Sequence, residues 1–492
     1  MSEPLGPAAP PVAGDEEWQR LDPRMLLVHP VREVVRFLPA LVAIVLAGTA
    51  SGGVTWQVLG VVVPVALGLL RYLTTRFRIA DGRVELSRGL LQRRVTSVAV
   101  DRVRTVDLTA SLVQRVLGLV RLRIGTGVAA NDDGDALELD GLPADRAEAL
   151  RDDLLRVAPA VDQTASATKD GPAPPVATFD PRWLRFAPLT GTGLVVVAAA
   201  VGGATQLLDA VGLPRSLDRA DLRGPGVVGA VGLLVAVLVG LLLLTVLGYL
   251  VTNGGYRLEQ TPAGWRVRRG LLTTRDTTID DERLAGVALG EPLALRVAGG
   301  RHLQAIVTGV DRSETGSSML VPPSDAAVAP RVARTLLGHA GPVDGPLRDH
   351  GPAAARRRWT RAVVPVLVVL VAAVAAVGAG APWWLLLGPV ALLPAALVVA
   401  ADRVRGLGHA LLEGHLVARS GSLARRREAL GTGHVIGWTF RDTWFQRRVG
   451  LTTLGATTAG GRGAVTVLDV PEPDAVAVAD AARPGLVAQF VR

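Results

Sequence analysis

Four stretches of the chain carry no Asp, Glu, Lys, Arg or His: Phe37–Leu70, Phe186–Leu208, Gly224–Leu250 and Ala362–Ala401. About 20 apolar residues in a helix cross the roughly 30 Å hydrocarbon core of a bilayer. The second and third stretches therefore read as one helix each, and the first and last as helical hairpins that turn at Ser51–Gly53 and Gly378–Pro382. The first stretch is short for two spans, so Val31–Arg36 is expected to carry its first helix into the headgroups, with Arg36 snorkelling. Six spans in three hairpins result. Between them the pattern changes to period two: Phe77 and Ile79, Val84 and Leu86, and Val120 to Ile124 alternate with polar residues around Asp81-Gly82 and Arg88-Gly89, as hairpin-connected strands do.

This β segment recurs. An offset of 332 carries Arg71 to Arg403, Gly82 to Gly414, Gly89 to Gly421, Arg93-Arg94 to Arg425-Arg426, Gln114-Arg115 to Gln446-Arg447 and Leu122 to Leu454. A more diverged middle copy starts at Tyr249; its Arg269-Gly270-Leu271-Leu272 repeats Arg88-Gly89-Leu90-Leu91 after an expected four-residue insertion around Gln260–Gly264, and Leu293–Val297 replaces the Gln-Arg pair. Three copies of one plan make up the chain. Gly89, Gly270 and Gly421 are expected to occupy one turn with positive φ, where a side chain would strain the backbone.

The run of strand, turn, Arg-Gly-Leu-Leu, apolar strand and Ser-Leu-x-Gln-Arg-x-x-Gly-Leu resembles the bacterial pleckstrin-homology-like (PH-like) domain of integral membrane proteins. That resemblance implies a small β-barrel or sandwich closed by a C-terminal helix, following a pair of transmembrane helices, with no catalytic motif to carry over. The expected fold class is an α+β membrane protein. A lead-in over residues 1–30 precedes hairpin 31–70 and PH-like domain 71–158. After linker 159–181 come hairpin 182–251 and domain 252–338; after linker 339–358 come hairpin 359–402, domain 403–482 and the tail 483–492. The closing helices are expected over Leu142–Arg156, from a cap at Ser324, and over Asp474–Ala482.

Charge sets the expected topology. Arg32, Arg36, Arg71, Arg76, Arg78, Arg182, Arg185, Arg356–Arg358, Arg361, Arg403 and Arg405 all flank spans on the face that three hairpins return to, whereas the outer loop Asp209–Arg223 balances three arginines with three aspartates. By the positive-inside bias, both termini and all three domains are cytoplasmic in a multi-pass plasma-membrane protein. The net charge of +9 then reads as topology and attraction to anionic lipid rather than nucleic-acid binding, since aromatics make up only 4%. The start of the chain, Pro/Ala-rich and then acidic at Asp15–Glu17, shows no signal-peptide pattern, so the first span is expected to be an uncleaved anchor.

The search for chemistry returns little. There is no cysteine, and the single lysine, Lys169, lies in a linker before Asp170, so neither a thiol site nor a phosphate-binding Gly-Lys-Ser/Thr loop is present. His409 and His415 flank Glu413 six residues apart and read as surface groups rather than a metal site, and Asn131–Asp135 lacks the distal glutamate of a calcium loop. Ser111 and Thr443 read as caps of the turn that follows them. No cofactor, metal or reaction is expected. The spans hold no charge, and their strongest polar groups are Gln57, Gln206 and Thr245. What recurs around the glycine of this shared turn is arginine: Arg93 and Arg94, Arg268, Arg269 and Arg275, and Arg425, Arg426 and Arg427. Guanidinium forks suit phosphate, so these are candidate contacts to lipid headgroups or to a partner; membrane-proximal basic surface is the competing reading. The expected function is a non-enzymatic membrane scaffold that binds anionic lipid or a protein partner, such as a related membrane protein with one PH-like domain, in envelope homeostasis or stress resistance. The alternative is a transporter or exporter of a small apolar substrate.

Overall fold

The computed structural model describes residues 18–20, 22–25, 74–80, 83–88, 94–99, 105–125, 137–156, 174–191, 193, 195, 225–262, 264–308 and 318–485. The expected first hairpin, most of the expected span Phe186–Leu208, Gly89, Arg93 and residues Asn131–Asp135 lie outside them.

Each copy supplies the same strands in the same order. In the first they are β1 (Arg76–Ala80), β2 (Arg83–Arg88), β3 (Arg94–Ala99), β4 (Thr105–Ala110), β5 (Leu119–Gly125) and β6 (Leu137–Pro143). The second has β7 (Arg257–Thr261), β8 (Gly264–Arg269), β9 (Thr274–Ile279), β10 (Leu284–Pro292), β11 (Gly300–Val307) and β12 (Met319–Asp325). The third has β13 (Gly408–Leu412), β14 (His415–Ser420), β15 (Ala424–Gly431), β16 (Gly437–Arg441), β17 (Leu451–Thr457) and β18 (Ala464–Pro471). A short helix joins the fourth and fifth strand of each copy: α1 (Leu112–Val116), α4 (Leu293–Val297) and α8 (Trp444–Arg447). A closing helix follows the sixth: α2 (Ala144–Arg156), α5 (Val328–Leu337) and α9 (Glu472–Ala482). The long helices α3 (Pro225–Asn253), α6 (Gly351–Gly378) and α7 (Leu387–Arg405) complete the set; the membrane-length segments are Val235–Asn253, Gly351–Gly378 and Trp383–Arg405. Leu242–Leu244 of α3, Val368, Val369 and Val371 of α6, and Leu392 and Val398 of α7 stay exposed, as side chains facing lipid do. Thr245 donates its hydroxyl to the Leu242 carbonyl of its own helix, at 2.7 Å.

Two details of the second copy differ from the sequence expectation. Thr261 pairs with Gly264 as Ala80 pairs with Arg83, so the β7–β8 turn holds no insertion. Ser324 is not a helix cap: it lies buried in β12, and α5 begins at Val328 with Pro330 in its first turn, where a missing N–H costs nothing. Pro322 and Pro323 fit β12 because it is the outermost strand of its sheet.

The chain divides into two compact units, one of Met1–Pro175, Gly255–Asp281 and Gly309–Asp311, the other of Val176–Gly254, Glu282–Thr308 and Arg312–Arg492. In the first, Phe77, Val84 and Leu86 of the β1–β3 sheet pack with Leu108, Leu119, Leu122, Ile124, Leu137 and Leu139 of the second half of the same copy, closed by Ala147 of α2. In the second, Leu416, Ala418 and Leu430 pack with Leu454, Val465, Val467 and Val470, closed by Ala475 and Ala479 of α9. Period-two alternation of apolar residues along each strand builds these sandwiches. The hydrogen-bonded sheets do not stop at the copy, however. One runs β6-β5-β4-β9-β8-β7 and joins copy one to copy two; another runs β12-β11-β10-β15-β14-β13 and joins copy two to copy three.

Candidate functional site

The two places where copies meet are built alike. Leu108 of β4 faces Leu122 on the following strand, as Leu289 faces Leu303 and Phe440 faces Leu454, so β4, β10 and β16 are equivalent. Arg94 of β3, Arg275 of β9 and Arg426 of β15 likewise face Arg88, Arg269 and Ser420. In this common frame both junctions have one register: Leu108 stands opposite Asp276, and Leu289 opposite Arg427. Main-chain hydrogen bonds along antiparallel edges hold each junction.

Side chains lock them. In the first unit the buried Asp276 of β9 pairs with Arg266 of β8 and lies 3.7 Å from Arg151 of α2, so one carboxylate ties both copies. The hydrogen bond to Asp276 holds Arg266 above the usual arginine range. The guanidinium of Arg115, at the end of α1, donates to the carbonyls of Leu271 and Leu272 in the β8–β9 turn. In the second unit Leu293 N donates to Leu423 O at 2.7 Å across the equivalent turn. Arg296 takes the place of Arg115: it binds Asp402 of α7 at 2.9 Å, and the same carboxylate accepts from Arg425 at 2.6 Å and Ser422 at 2.7 Å. The arginine of the Gln-Arg pair thus recurs in all three copies, although sequence matching finds it in two.

Of the eight sequence-selected arginines, Arg425, Arg426 and Arg427 are engaged inside the protein. Arg426 binds Gln304 of copy two at 2.9 Å and Glu428 at 2.9 Å; Arg427 donates to the carbonyls of Pro342 and Gly345. Burial lowers the pKa of Arg425, Arg426 and Arg427 and raises that of Glu428. Arg269 is buried, and burial with the neighbouring Arg275 lowers its pKa; Arg268 and Arg275 are exposed. Arg94 lies in β3, and Arg93 is among the residues not described. Gly270 and Gly421 do occupy one turn, at φ +102° and +96°.

Ser111 and Thr443 each form a capping box with the glutamine three residues on, Gln114 and Gln446, which satisfies free N–H groups at the start of α1 and α8. His409 corrects the expectation of a surface residue. It is buried against His350, Nδ1 to Nε2 2.8 Å, while His350 Nδ1 meets the Leu468 carbonyl at 2.9 Å. Burial, then the adjacent His350, pushes His409 down to about 4. Beside this pair lies a carboxylate that sequence reading does not select. Asp469 is 2% exposed, accepts from Gln446 Nε2 at 2.7 Å, and pairs with Arg357 and Arg358 of α6 at 3.0 and 2.7 Å. Its signal is an acidic residue within an apolar strand, Val465–Val470.

Two of the strands that end a sheet are equivalents of the strands that join the copies. Among the described residues β3 pairs with β2 alone, in the sheet that Gln19–Arg20 extends on its far side, and β16 pairs with β17 alone. Beside β16 stand exposed Ile436, Phe440, Trp444 and Phe445.

The bacterial PH domain family matches residues 31–158 and 362–483. A curated relative, the UPF0699 transmembrane protein YdbT of Bacillus subtilis (strain 168), is 20% identical over 438 residues, covering 84% of this chain and 85% of its own length. No solved structure gives a significant match. Matched over just over half of its length, the chain belongs to the bacterial PH domain family.

Proposed function

We propose that this protein is a non-enzymatic scaffold of the plasma membrane, whose PH-like copies face the cytoplasm and bind protein partners rather than catalyse a reaction. One observation carries the reading: both described junctions between copies are made by strand pairing edge to edge, the mode by which sheets recruit further polypeptide. Arg425, Arg426 and Arg427, which would otherwise serve a lipid-headgroup face, are instead spent on Asp402, Glu428 and main-chain carbonyls. Anionic lipid then contributes through the remaining basic residues near the membrane, about 1 kcal/mol each and screened by salt. A role in envelope homeostasis fits such a scaffold.

The test is topology combined with recovery from native membrane. Reporter fusions after Asp22, Asp170, Asp344 and Arg492 are expected to read cytoplasmic, and one after Asp218 external. Gentle solubilisation is expected to recover a membrane protein in fixed ratio with the chain, retained at a salt concentration that strips peripheral lipid contacts. An external reading at Asp170 breaks the three-hairpin arrangement; recovery with lipid alone moves the function to headgroup binding.

A further inference from the structure

The end strands β3 and β16 are the two halves of the junction this chain already makes twice. β16 is the equivalent of β4 and β10, and β3 the equivalent of β9 and β15. At both internal junctions the residue at the Phe440 position is buried, Leu108 at 6% and Leu289 at 5% exposure, whereas Phe440 is 42% exposed. Opposite it, Asp276 is 8% exposed, but its equivalent Val95 is 49% exposed. The arginine that bridges to the neighbouring copy at Arg115 and Arg296 recurs as Arg447, which meets only Asp442, at 3.8 Å, among the described residues. Strand edge, apolar flank and bridging arginine are thus all left over at one end of the chain, and the matching edge at the other.

Resting on the scaffold reading, we propose that β16 of one molecule pairs antiparallel with β3 of a second copy of this chain, so that molecules join head to tail in the membrane. The common register sets Phe440 opposite Val95, Thr439 opposite Thr96 and Trp438 opposite Ser97. Because the surfaces that meet are different, the contact is heterologous and builds a ring or an open row. A second copy is the occupant because the pairing repeats a junction whose register the chain states twice. One position departs from the internal pattern. Arg441 falls opposite Arg94, where the internal junctions oppose Thr109 to Arg275 and Gly290 to Arg426. Like charges at opposed positions weaken the contact, so the association is reversible and tunable there.

The chain has no cysteine, which makes the test direct. Two differently tagged full-length copies, one Val95→Cys and the other Phe440→Cys, are expressed together and oxidised in membranes. A covalent dimer carrying both tags is expected, and a single chain with both cysteines should give a ladder of multimers. Adding Arg441→Thr is expected to raise the dimer yield severalfold. The proposal is overturned by no cross-link, by closure within one molecule only, by a cross-link to a different protein only, or by equal yield when Thr335→Cys replaces Phe440→Cys. An unchanged or lower yield with Arg441→Thr overturns the register. Loss of the cross-linked dimer leaves the scaffold reading intact as long as fusions and partner recovery behave as expected.

Discussion

Asp469→Ala is expected to destabilise the unit that holds it by about 3–5 kcal/mol, the usual consequence of leaving a buried charge without its partner. Here two charges are stranded at once: Arg357 and Arg358, with side chains 13% and 15% exposed, both face this carboxylate, itself 3% exposed. Gln446 loses its acceptor as well, and with it part of the link between α8 and β18. Asp469 also sits at φ +53°, a conformation that aspartate and asparagine tolerate better than alanine. Asp469→Asn keeps the shape, the backbone preference and an acceptor for Gln446, so it is expected to recover part of the loss and to isolate the ionic share. Thermal unfolding of the purified chain, followed through the tryptophans of this unit, reads the difference. A loss under about 1 kcal/mol for the alanine variant means that the guanidiniums reach other partners.

Gly421→Ala is the second substitution with a large expected effect. At φ +96° a side chain costs about 1–3 kcal/mol in backbone strain alone. An added Cβ would also lie 2.2 Å from the Ala424 carbonyl oxygen and 2.9 Å from its carbon, main-chain atoms that no rotamer change can move. The turn carries Leu423, whose carbonyl accepts from Leu293, so distorting it also loosens the junction of copies two and three. A total near 3 kcal/mol follows, with the same expected at Gly270, where the Thr273 oxygen lies 2.1 Å from the added atom. Gly414→Ala is the control: it too has positive φ, +73°, but nothing within 4 Å, and about 1 kcal/mol is expected. Equal losses at Gly414 and Gly421 would show that crowding contributes nothing.

These cases mark what local sequence conveys. The glycine turn and the capping boxes at Ser111 and Thr443 were legible because a few adjacent residues determine them. The closing helices were legible to within a few residues, except where Pro322 and Pro323 resemble a helix lead-in while serving an outermost strand. The buried His350–His409 pair was not, since the partners lie 59 positions apart and His409 alone looks like part of a surface hairpin. Arg296 escaped notice because Leu295 replaces the glutamine before it. The junctions are the clearest case. β4 and β9 join through backbone N–H and C=O groups, which every residue carries, so no side-chain motif announces that pairing. What the repeat did contain was the equivalence of strands; only their pairing turned it into two junctions and two unjoined counterparts, β3 and β16.

The central claim is that successive copies share hydrogen-bonded sheets, and the β4–β9 junction tests it most directly. Thr109 and Arg275 stand directly opposite, a placement that brings Cα atoms to about 4.5–5.5 Å in antiparallel strands and within disulfide range. In the otherwise cysteine-free full-length chain, Thr109→Cys with Arg275→Cys is expected to oxidise in the membrane to an intramolecular disulfide, seen as a faster-migrating band that reductant abolishes. Thr109→Cys with Arg257→Cys, on a strand two places further across the same sheet, is expected to stay reduced. Failure of the first pair to close, or equal closure of both, would contradict the shared sheet.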